Sequence, residues 1–158
     1  MPYTISSAGG TPTGNVTVTD GAVSNTCTVA ARTCSLTSTT IGAKTITVNY
    51  VGDANFNGSS ATKSHTVKYA TTTTVGTISP EPSAVGQAYT VRYTVTSSGG
   101  TPTGNVRVSD GSATNTCTVA AAICSLTSTS KGNKTVTVSY LGDASFNISS
   151  ATKTHKVQ

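Results

Sequence analysis

The chain repeats itself at a fixed offset of 90 residues, so that Tyr3–Lys68 lies on Tyr93–Gln158 without a gap. Of these 66 paired positions 45 are identical, and the glycines of the turns, both cysteines, the aromatics and the histidine of each copy fall in register. A repeat of this length constrains the fold more than any composition does. It means two copies of one small folding unit, not one large core. The expected division is 1–69 for an N-terminally incomplete first copy and 70–158 for the second. Residues 70–92, which precede Tyr93, have no counterpart before Tyr3. Tandem copies serve reach, spacing or valency more often than catalysis.

Within each copy the pattern is that of strands. Apolar residues make up only 35% of the chain, there is no Trp, and Thr occupies 34 of the 158 positions. Thr and Val in alternation suit a pleated, half-buried surface, and no stretch carries a helical stripe. The run Tyr89–Thr96 alternates strictly, and the first copy keeps only its end, expected as a strand over Tyr3–Ser7. Gly99-Gly100-Thr101-Pro102-Thr103-Gly104 reads as a turn, Asn105–Ser109 as a short strand, and Asp110-Gly111 as a reversal. Further strands are expected at Thr114–Val119, Ile123–Ser128, Lys134–Tyr140 and Ser150–Val157, with another inside Thr71–Ile78. Seven strands with turns at this spacing describe a β-sandwich.

Cys117 and Cys124 flank a short loop, as Cys27 and Cys34 do in the first copy. In a two-stranded hairpin such positions face each other across the ladder. Four cysteines allow three pairings, and the duplication favours the one that keeps each pair inside its own copy. Free thiols and metal or redox chemistry are the alternatives. Zinc would want four ligands, and a redox pair a Cys-x-x-Cys spacing at a helix start. An oxidising compartment follows from the disulfide reading.

The remaining chemistry is sparse. The formal charge of +5 is spread through the chain without interleaved aromatics, which argues against a nucleic-acid surface. Five carboxylates (Asp20, Asp53, Glu81, Asp110, Asp143) are few for calcium sites. His65 and His155 read as strand histidines satisfied by the backbone, and no Ser-His-Asp or Cys-His set follows from spacing. Glu81 reads as lying in an exposed turn between prolines. A Lys–Asn isopeptide bond would need a buried acid beside Lys44 or Lys134, and none can be placed. No stretch has the length of a membrane span, and Met1-Pro2-Tyr3 does not open a signal peptide, so any export signal is expected outside these residues. No cofactor, metal or catalytic residue is expected.

The strings Thr101–Val106, Asp110-Gly111 and Tyr140–Phe146, matched in the first copy by Thr11–Val16, Asp20-Gly21 and Tyr50–Phe56, resemble the bacterial immunoglobulin-like repeat domain of the group 3 type. The likeness rests on a T-P-T-G-x-V opening and a closing Y-x-G-D-x-x-F element, and it covers nearly the whole chain. In that element Tyr50 and Tyr140 are expected in the core, Asp53 and Asp143 in a turn accepting backbone N–H groups, and Phe56 and Phe146 returning to the core. The resemblance implies an all-β fold of two tandem Ig-like sandwiches from a longer array in a bacterial surface or secreted protein. It also implies a stalk, spacer or adhesive role outside the cell. The expected partners are further repeats of the same chain and a host or cell-surface glycan or protein, with strand-exchange self-association through the incomplete first copy and no insertion into membranes. A carbohydrate-binding module of a secreted hydrolase is the rival, and exposed tyrosines, Tyr69 above all, would favour it.

Overall fold

The computed structural model describes all residues, Met1–Gln158. The chain forms eleven strands, two single 3-10 turns and no α-helix. It divides into two compact units, Met1–Val67 and Lys68–Gln158.

The second unit is a complete sandwich. Strands β5 (Thr72–Ser79), β6 (Ala88–Thr96) and β9 (Ile123–Thr127) make one antiparallel sheet in the order β5-β6-β9. Strands β7 (Asn105–Ser109), β8 (Thr114–Thr118), β10 (Gly132–Tyr140) and β11 (Ser149–Val157) make the other, in the order β11-β10-β7-β8. The inward positions of each alternating strand meet in one core. Tyr89, Val91, Tyr93 and Val95 come from β6, Val106 and Val108 from β7, and Val136, Val138 and Tyr140 from β10. Leu126 and Phe146 complete it. Each strand thus buries one face, as the two-residue period dictates.

The first unit has one sheet, in the order β2-β1-β3-β4, from β1 (Asn15–Thr19), β2 (Ser24–Thr28), β3 (Gly42–Gly52) and β4 (Asn57–Val67). The strand expected over Tyr3–Ser7 does not form. That segment makes only isolated bridges, Pro2 to Thr33 and Ser7 to Gly10, although Tyr3 N–H still donates to Arg32 O. Thr33–Thr37, the counterpart of β9, is likewise not a strand. The physical reason is shared. In the second unit β9 pairs only with β6, and the first unit retains just the last residues of that strand, too few to template a ladder. Nor does the segment around Lys68–Ile78 supply the missing strand, because Thr72–Ser79 pairs with β6 in the second unit. The first core is correspondingly thin. Val16, Val18, Ile46 and Tyr50 are buried beneath Tyr3 and Cys34, while Leu36, Val48 and Phe56 are only half-buried.

Candidate functional site

Chemistry-bearing side chains converge at one place in the second unit, and spacing in the sequence gave no sign of it. The β5–β6 connection carries Pro80 and Pro82, each after a cis peptide bond, and between and beside them Glu81 and Ser83. The connection folds back along β11, where Ser83 N–H donates to Lys156 O and Gln158 N–H donates to Ser83 O. His155 of β11, 2% exposed, is caught between the two side chains. Its Nε2 lies 2.8 Å from Ser83 Oγ, and its Nδ1 bonds Glu81 Oε2. Glu81 Oε1 accepts the Lys156 N–H at 2.9 Å. Burial pushes the Glu81 carboxyl up, but the bonds from His155 and Lys156 outweigh it and hold the group below its ordinary range.

The histidine is therefore satisfied by side chains more than seventy residues away, not by the backbone, and Glu81 is no free turn residue. The copies differ here for one reason. His65, on β4, is exposed, because the segment that would bring a glutamate and a serine to it has no counterpart in the first unit.

A serine, an imidazole and a carboxylate in this order form the sequence of bonds used by nucleophilic hydrolases. The surroundings withhold the rest of that chemistry. Ser83 is buried. The N–H groups of Ser83, Ala84 and Val85 are all spent, on Lys156 O, Gln87 Oε1 and Gln158 O, so none is free to hold an oxyanion. The Tyr89 ring covers the imidazole with centroids 4.1 Å apart. What the arrangement does is fasten the loop of one sheet to the edge strand of the other.

The same network continues inward. Tyr89 Oη donates to Asp110 Oδ2 at 2.8 Å, the same oxygen takes the Ser128 hydroxyl, and Asp110 Oδ1 accepts the N–H groups of Ser112 and Ala113. Burial raises the Asp110 carboxyl, but these donors, Ser128 first, hold it well below the ordinary carboxylate range. Tyr89 is pushed up to about 12 by burial, with the adjoining Asp110 carboxylate adding to it. Asp20 is held at about 2, chiefly by the Ser38 hydroxyl and the Val23 N–H, and has no tyrosine partner.

The closing element behaves alike in both units. Asp143 Oδ1 accepts the N–H groups of Ser145 and Phe146, each at 2.8 Å, and Oδ2 accepts the Thr103 hydroxyl at 2.7 Å and the Thr103 N–H. Asp53 binds Asn55, Phe56 and Thr13 in the same way. Both carboxyls are held far below their ordinary range, first by the threonine hydroxyl. Tyr50 and Tyr140 are buried with their hydroxyls unpartnered, and burial pushes Tyr140 up to about 12. Phe146 packs under Tyr69, ring centroids 5.7 Å apart, and the Tyr69 ring lies flat on Gly99, where even a Cβ would meet it at 2.2 Å. Tyr69 is the one exposed aromatic, at 38%, and it is fixed at both edges: its N–H donates to Ser145 O and its carbonyl accepts the Asn147 N–H.

The cysteines pair within their units, Cys27 with Cys34 and Cys117 with Cys124, each with Cα atoms 5.8 Å apart. The geometry of the second differs from a hairpin cross-link. Cys117 lies on β8 and Cys124 on β9, strands of different sheets, joined by the 3-10 turn Val119–Ala121 and Ala122 at φ 56°. The disulfide stitches the two layers, and the first unit carries the equivalent bridge beside its single sheet. No three His, Cys, Asp or Glu side chains are grouped to hold a metal ion. Lys44 and Lys134 donate to the hydroxyls of Thr40 and Ser130, and the Lys44 charge adds to the lowering of the buried Asp20 carboxyl. No helix is long and apolar enough to cross a membrane.

A family model, the bacterial Ig-like domain (group 3), matches residues 2–68 and again 75–158. The chain belongs to that family. Each Ig-like unit of the chain thus receives its own match. A solved structure of the fibronectin(III)-like modules of Clostridium thermocellum CbhA aligns with 98% of this chain and 83% of its own, at 18% identity and a TM-score of 0.47. A search of curated proteins finds no match.

Proposed function

We propose that this pair of Ig-like domains is a non-catalytic spacer or adhesive module of a bacterial surface or secreted tandem-repeat protein. The observation behind this reading is where the reactive side chains go. In the second unit Asp110, Asp143, Glu81, Ser83, His155 and both cysteines are all used in fastening strands, turns and layers to one another. Little is left over to act on a substrate, and much is invested in a small unit that holds its shape. Disulfides in both units fit an oxidising location outside the cell. Tyr69 aside, the large exposed apolar side chains, Val51, Val85, Leu141 and Ile148 among them, carry no ring, and a single tyrosine makes no row of rings for sugars.

The test displays the pair between a cell-wall anchor and a fluorescent reporter and measures reporter height as copies are added. In parallel, the protein is passed over a panel of polysaccharides. Height rising with copy number, with no retention on glycans, supports the spacer reading. Retention that disappears in Tyr69→Ala would replace it with the carbohydrate-binding one, since Tyr69 is the single ring exposed for stacking.

A further inference from the structure

The chain enters the second unit at Lys68 and runs out of it along β11, and the entering and leaving stretches lie side by side in the same direction. Their contacts follow one order along both. At one end Tyr69 and Phe146 form a parallel bridge, in which the Tyr69 N–H donates to Ser145 O at 2.8 Å and the Asn147 N–H to Tyr69 O at 2.9 Å, with Lys68 Nζ donating to Asp143 O beside it. Next come the Thr71 hydroxyl on Asn147 O and Ser149 Oγ, the bond between the Thr73 and Ser149 hydroxyls, and Lys153 Nζ on Gly76 O. At the other end Ser83 and Val157 form a second parallel bridge: the Ser83 N–H donates to Lys156 O, the Gln158 N–H to Ser83 O and the Val85 N–H to Gln158 O. There too Glu81 and Ser83 hold His155 between them, and Glu81 Oε1 takes the Lys156 N–H.

Direction decides how such contacts meet a pull. Two stretches that run the same way, drawn from opposite ends, can only slide lengthwise, so every bond between them is stretched at once. A hairpin drawn from its adjoining ends opens one pair at a time, and β10 with β11, where Gly132 stands opposite Val157, is a hairpin of that kind. We infer that the second unit bears tension along the chain, with residues 68–85 and 143–158 as a clamp and the Glu81–His155–Ser83 cluster as its side-chain lock. The role presupposes the spacer reading, because a module held between an anchor and a distal load is the one that is pulled from both ends. It also gives the cluster a task. His155 stands near the end of the strand by which force leaves the unit, and both of its ring nitrogens are held by residues of the stretch by which force enters.

Single molecules of the full chain, held by handles at the two termini, are drawn at fixed force, and the second unit is told from the first by the longer stretch of chain that it releases. A second preparation carries Lys131→Cys, with one handle there and the other after Gln158, so that β11 is peeled from β10. At equal force the terminal pull should open the second unit about tenfold more slowly than the peel. Glu81→Ala at the His155 end and Thr71→Val at the Tyr69 end should each speed opening under the terminal pull about tenfold. Tyr89→Phe is the control. It loses a bond of similar strength outside the clamp and should leave that rate within about twofold, although it weakens the unit in urea. Opening as fast lengthwise as by peeling overturns the proposal, and so do Glu81→Ala and Thr71→Val variants that open no faster than Tyr89→Phe. Reporter height separates the two readings: a unit that resists the pull in an array that gains no height upholds the clamp and sinks the spacer, whereas a yielding unit in an array that gains height sinks the clamp alone.

Discussion

Tyr89 of β6 donates its hydroxyl to Asp110 at the β7–β8 turn, 2.8 Å away, so that a strand of one sheet is bonded to a turn of the other through a buried carboxylate. A hydrogen bond to a charged acceptor is worth about 1.5–3 kcal/mol, and its removal leaves the acceptor short of a donor. Tyr89→Phe should therefore destabilise the second unit by about 1.5–3 kcal/mol, with the first unit unchanged because Asp20 has no such partner. Urea titration followed by amide exchange, resolved unit by unit, reads the difference.

The same bond sets a response to pH. Asp110 is held below its ordinary value of 3.8, so the fold favours its charged form; that stability is complete above about pH 4 and is lost as the pH falls further. Asp20 behaves likewise between 3.8 and about 2. Tyr89 works in the opposite sense: its folded value of about 12 exceeds the ordinary 10.0, so the neutral form is favoured and stability is lost as pH rises beyond 10. The urea midpoint of the second unit should be flat between about pH 5 and 9 and fall on both sides. Asp110→Asn should make the acid limb shallower, with Asp143 and Glu81 carrying the rest, and an unaltered limb would assign it to them alone.

The strands of the complete unit were legible in the sequence because Thr/Val alternation is a local signal, and β7 runs over Asn105–Ser109 as its pattern implies. The Asp110-Gly111 reversal was legible too, but not the burial of Asp110, since Tyr89 and Ser128 come from distant strands. His155 illustrates the limit most clearly. Its partners stand 72 and 74 residues away, and only the paired prolines hinted that Glu81 sits in a fixed turn. The cysteines looked like a cross-strand pair because spacing does not distinguish a hairpin from a corner between sheets.

That corner gives a further expectation. Closing a loop of about eight residues contributes roughly 2.5 kcal/mol on the chain-entropy model. Cys117→Ala with Cys124→Ala should lower the stability of the second unit by about that amount. A non-reduced proteolytic digest should yield Cys27–Cys34 and Cys117–Cys124 peptides; links between units, or free thiols, would refute the pairing.

Phe146 and Phe56 hold the same place in the repeat but differ in cover, the former buried under Tyr69 and the latter half-buried. Phe146→Ala should cost about 3–5 kcal/mol, and Phe56→Ala under about 2, because less apolar surface is withdrawn from water. Equal costs would mean that the first core is as well closed as the second.

The place where the second unit begins also bears on how arrays of this kind can change length. The matched stretch Tyr93–Gln158 opens in the middle of β6, whereas the folded unit begins at Lys68. Recombination guided by sequence likeness would tend to cross over inside the well-matched Tyr93–Gln158 stretch, ahead of the next hairpin. Gains and losses of whole 90-residue periods then carry each opening hairpin along with the sheet that it completes.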